Sequence, residues 1–145
     1  MASLITGVSS EAQDQANRLG NPLVQTLPQP ASYSGTPITY LASDIIGSII
    51  VHNTGATAST GNLPSAANLI AAIPGGQGGR CRVGDTVECL ITNTGSTGNL
   101  TIALGSGGSF DSNQSSAAIA AGTSKVLAFR VTNPTPGSEA FTVYC

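Results

Sequence analysis

Apolar and polar positions alternate with a period of two through much of the chain after residue 83. In VGDTVECLITN the apolar set is Val87, Cys89 and Ile91, and in LTIAL it is Leu100, Ile102 and Leu104. SKVLAFRVTN places Leu127, Phe129 and Val131 together, and EAFTVYC pairs Phe141 with Val143. Because successive side chains of a strand point to opposite faces, each set predicts one buried face of a strand. NTGSTGN, between the first two segments, predicts a turn. Upstream, ITYLASDIIGSIIVHN is rich in β-branched residues and is broken near Asp44 and Gly47, which predicts a short strand and then a second one in IIVHN.

One segment follows a different period. In NLPSAANLIAAIPG, residues Ala66, Leu69, Ile70 and Ile73 recur at helical spacing, with Pro64 near the start and Pro74 as a stop. This predicts a two-turn helix capping one end of the sheet. The run GGQGG at 75–79 reads as a loop. NTGATASTGN at 53–62 resembles NTGSTGN at 93–99, either as a duplicated hairpin or as one turn chemistry used twice; the unmatched flanks favour the second. Short strands separated by Gly, Ser, Asn and Pro predict an all-β fold, an antiparallel β-sandwich of the jelly-roll type with about six to eight strands. It would occupy residues 37–145.

The first 36 residues read as an arm. SSEAQDQANRLG at 9–20 has capping-box spacing between Ser10 and Gln13 and a stop at Gly20, which predicts a short helix that depends on docking for its order. After it, Pro22, Pro28, Pro30 and Pro37 prevent a helix or a central strand from persisting. Leu19, Leu23, Val24 and Leu27 have no local core to enter, so the expected role of the arm is to lie along a neighbouring subunit.

Composition sharpens that expectation. Only 8% of the 145 residues are charged, against roughly 25% in an average soluble domain. Ser and Thr together number 33, and Gly 18, so hydroxyls and amides take the place of ions. Charged groups are costly to desolvate and are depleted at interface cores, so this surface suits a chain surrounded by copies of itself. A net charge of −2, with Arg80 and Arg82 the only close basic pair, gives no footprint for nucleic acid. No apolar run reaches the ~20 residues of a membrane helix, and the first residues lack the pattern of a secretory signal.

Candidate chemistry is sparse. His52 is the single histidine; Asp44 and Ser48 lie near it in sequence, but no nucleophile motif accompanies them. Asp85, Glu88, Asp111 and Glu139 are scattered rather than paired. Cys81, Cys89 and Cys145 are an odd set without metal-ligand spacing, and they read as free thiols. No cofactor, metal or catalytic residue is expected. Tyr33, Tyr40, Phe110 and Tyr144 are the aromatic residues that could form a ligand-binding surface.

The order HNTG, LPSAANLIAAIPG, VGDTVECLITNTGSTGNLTIALGSGGSF and IAAGTSKVLAFRVTN, over residues 45–133, resembles small β-sandwich virion proteins of tailed phages and large algal DNA viruses. These decorate capsids or form fibre heads. The resemblance implies a minor capsid or decoration protein, a homotrimer that associates with a major capsid protein through its N-terminal segment. It would be assembled in the host cytoplasm and located in the virion. The alternative is a carbohydrate or receptor binding module at a fibre tip.

Overall fold

The computed structural model describes residues 29–46, 49–73, 81–114 and 116–145. Within them the chain is β-rich. In order, the elements are β1 (Ala31–Ser34), β2 (Ile38–Thr39), α1 (Ala42–Ile45), β3 (Ile49–Asn53), β4 (Ser59–Asn62), α2 (Ala66–Ala72), β5 (Thr86–Asn93), β6 (Leu100–Ala103), β7 (Gly108–Phe110), β8 (Ala117–Ile119), β9 (Ser124–Asn133) and β10 (Ala140–Tyr144). One sheet has the order β1-β3-β5-β9-β10-β7, and the other β2-β4-β6-β8.

The antiparallel arrangement expected from the strand pattern does not describe these sheets, which are mixed. Five strand pairings are parallel and three antiparallel. The reason lies in the turns. β5 and β6, which read as a hairpin, belong to different sheets, and so do β3 and β4, and β1 and β2. Each pair forms an arch, a strand that leaves one sheet, crosses by a short loop and enters the other. Each crossing is followed by a return, so β1, β3 and β5 stack in parallel in the larger sheet while β2, β4 and β6 stack in parallel in the smaller. The result is three successive coils, completed by the antiparallel strands β8, β9 and β10.

Three of the expected elements are where the periodicity put them. α2 spans Ala66–Ala72, and its cap residue Ser65 accepts a hydrogen bond from the Asn68 amide at 3.3 Å. β9 buries Leu127, Phe129 and Val131, and β10 buries Phe141 and Val143. There is a second short helix besides α2: α1, a single turn at the break read near Asp44. β1 falls inside the segment assigned to the arm; as an edge strand it tolerates the prolines on either side. The expected helix at 9–20 and the loop at 75–79 lie outside the described residues.

Both sheets feed one core. Ile50, Cys89, Ile91, Leu127, Phe129, Phe141 and Val143 come from the larger sheet, and Leu100, Ile102, Ala117 and Ile119 from the smaller. Ile70, Cys81 and Val131 form a separate cluster.

Candidate functional site

At the end of the stack where the arches cross, the core turns polar. In the larger sheet Tyr33, His52 and Asn93 occupy one register row. His52 and Asn93 are fully buried, so each of their polar atoms needs a partner within the protein.

Asn93 finds four. Its amide nitrogen donates to the carbonyls of Gly98 at 2.9 Å and Ile119 at 3.0 Å. Its carbonyl oxygen accepts from the Gly95 amide at 2.9 Å and the Thr54 hydroxyl at 3.0 Å. Thr54 belongs to the preceding arch and shares its one hydroxyl hydrogen between Asn93 and the Gly98 carbonyl, while the amide of Thr94 donates to the His52 carbonyl. The two NTG blocks are therefore equivalent loops of successive coils, locked side by side. In each, the asparagine side chain accepts from the glycine amide two residues on. Gly95 must be glycine here because a Cβ would run into the Thr54 hydroxyl.

His52 is held from both sides. Its Nε2 lies 3.2 Å from the Gly35 carbonyl and 3.1 Å from the Ser59 hydroxyl, and its Nδ1 lies 2.8 Å from the Tyr40 hydroxyl. A carbonyl can only accept, so Nε2 carries the proton and Nδ1 accepts from Tyr40. Ser59 in turn donates to Gly35 at 2.7 Å. Tyr40 reaches His52 by lying across Gly61, where any side chain would collide with its ring. Tyr33 packs edge-on against Tyr40 with ring centres 5.0 Å apart, and its hydroxyl donates to Asp44 at 2.5 Å.

This geometry joins His52 to Ser59 and to a tyrosine rather than a carboxylate; Ser48 lies outside the described residues. Asp44 is engaged by Tyr33. With Ser59 hydrogen-bonded to a carbonyl and both side chains buried, neither is presented to a substrate. Three other carboxylates serve their own turns, Asp85 accepting from the Arg82 amide, Asp111 from that of Asn113 and Glu139 from that of Gly137, while Glu88 stands within β5. Among the described residues no three His, Cys, Asp or Glu side chains converge, and no helix is long and apolar enough to cross a membrane. The three cysteines are free, and burial pushes the Cys89 thiol up to about 12.

The four aromatic residues do not form one surface. Tyr40, expected to be accessible, is in the core because Gly61 leaves it a slot. Tyr33 is half-buried beside it, and Phe110 packs against the core from β7. Tyr144 alone of the four is exposed, on β10. Leu19, Leu23, Val24 and Leu27 lie outside the described residues. Sequence reading passed over Ser59, Asn93 and Gly61, although a polar residue closing an apolar strand, as Asn93 does, is a visible signal.

A groove of about 570 Å³ lies between α1 and α2, with Leu41, Ala42, Leu63, Pro64, Asn68 and Ala72 along it and no charged side chain in its lining. Leu41 is 62% exposed there, unusually so for a leucine.

Burial holds the His52 pKa below its ordinary 6.5. The unfolded chain takes up this proton first as the pH falls, so stability should drop below about pH 6.5, at up to ~1.4 kcal/mol per pH unit, until the folded imidazole also protonates. Urea unfolding between pH 7.5 and 5 should therefore be steeper in pH for the native chain than for His52→Gln. Equal slopes would mean that His52 is not held neutral.

Comparison of the chain with family models, with curated proteins and with solved structures returned no match.

Proposed function

We propose that the chain is a non-enzymatic structural protein of a virus particle. Its β-rich, two-sheet head associates with copies of itself and decorates or cements a capsid lattice, with the N-terminal arm as the tie. The observation that carries this reading is the outer face of the larger sheet. There Ile49, Leu90 and Val126 share one row, on the opposite side from the buried Ile50, Ile91 and Leu127. Val126 is 50% exposed. Around the row stand Val51, Thr92, Ser124 and Ala128, with Glu88 and Arg130 as charges of opposite sign. An apolar row within hydroxyls, carrying little charge, is inexpensive to cover with protein.

The buried polar network supports the same reading from within, because the groups capable of chemistry hold the arches together. The carbohydrate or receptor reading would rest on Tyr144 alone among the aromatic candidates, and nothing else favours it. Sedimentation of the full chain should give a homo-oligomer, a trimer if the resemblance holds, and the protein should co-sediment with capsids built from the major capsid protein. A strictly monomeric chain that leaves capsids bare would overturn the proposal.

A further inference from the structure

Burial along the register rows changes at the first coil. Ile50 and Ile91 are fully buried, whereas Ala31 in the same row is half-buried. His52 and Asn93 are buried, and Tyr33 beside them is not. In the smaller sheet Gly61 and Ile102 are buried and Ile38 is half-buried. Among the described residues the stack thus ends with its inward row partly uncovered, and β1 and β2 are the edge strands of their sheets on this same side. An open edge together with an uncovered apolar row is a template for one more strand. The uncharged groove begins where β2 ends, at Thr39, Tyr40 and Leu41.

We propose that residues 19–27 of a second copy dock at this open end, adding along β2 with Leu23 and Leu27 over Ile38 and Leu41. The inference deepens the self-association reading above and rests on it. Three observations select this occupant. The segment LGNPLVQTL carries no charge, and neither does the groove. It lies in the 28 residues that precede the described chain, which enters β1 at the end of the molecule where α1 and α2 lie. Pro28 and Pro30 fix their own φ and bias the residues before them to extended backbone, which opposes a reversal between Leu27 and Ala31 onto the chain's own edge. Nine extended residues reach about 30 Å, enough to cross to a neighbour.

The test uses full chains carrying Cys145→Ser, to remove the half-exposed native thiol. One preparation adds Val24→Cys and the other, with a different tag, adds Thr39→Cys, which is at an exposed position. After mixing through denaturant, refolding and mild oxidation, a disulfide should join the two tags. A third preparation carries both cysteines in one chain; a link formed only there, within single chains, would overturn the proposal, and so would no link at all. As a second measurement, Leu23→Asp/Leu27→Asp should weaken self-association at least 100-fold while leaving the unfolding transition in place; an unchanged oligomer would also overturn it. If the native chain is oligomeric but gives no link, only this docking site falls. If the native chain is monomeric, the assembly reading falls with it.

Discussion

Asn93→Leu should cost about 3–5 kcal/mol of folding stability, because it removes four hydrogen bonds at a fully buried position. Leucine has the branched outline of asparagine but is bulkier, so overpacking adds to the loss. The polar cost comes from the Ile119 carbonyl and the Gly95 amide, which lose a partner without access to water. Asn93→Asp should be at least as damaging, since its charge would face the carbonyls of Gly98 and Ile119. Urea unfolding monitored by circular dichroism measures both, with Asn53→Asp as the control. Asn53 makes the matching turn in the preceding loop but is exposed, and its variant should lose less than 1 kcal/mol. Equal losses at the two positions would show that Asn93 acts only in its own turn and does not lock successive arches.

Phe129→Ala should be comparably severe, at about 3–5 kcal/mol. Phe129 is fully buried on β9, paired in register with Val87 of β5 and Val143 of β10, and its ring meets that of Phe141 edge-on at 5.8 Å. With so few aromatic residues in the chain, this pair fills much of the space between the sheets. Its loss leaves a cavity that its register partners Val87 and Val143 are too small to close. Phe129→Leu should recover more than half of the loss by refilling the space. An alanine variant unfolding at the native urea midpoint would show that the ring does not carry the core.

The elements were more legible in the sequence than their pairing. The β9 and β10 alternations and the helical spacing of α2 are local signals, and those residues lie on the faces that the periods indicate. Whether NTGSTGN folds a strand back on its neighbour or carries it across to the other sheet depends on partners more than 30 residues away. The same small polar residues serve both, so the parallel stacking was hidden. Tyr40 was misplaced for a related reason. Its slot is made by Gly61, a residue that looks like ordinary turn chemistry until the two strands are set side by side. The Tyr40–His52–Ser59 network likewise joins residues from β3, β4 and the segment after β2, and no spacing rule links them.

The parallel stacking of β1, β3 and β5 also governs when the protein can acquire its shape during synthesis. β1 has no partner that is made before it, β3 has only the short edge strand β1, and β5 takes its most extensive pairing from β9, about 40 residues further on. A ribosome that has released only the first half of the chain has therefore produced two coils that lean only on each other. Their full packing waits for the last strands, so the emerging polypeptide keeps apolar strand faces uncovered until translation is almost finished.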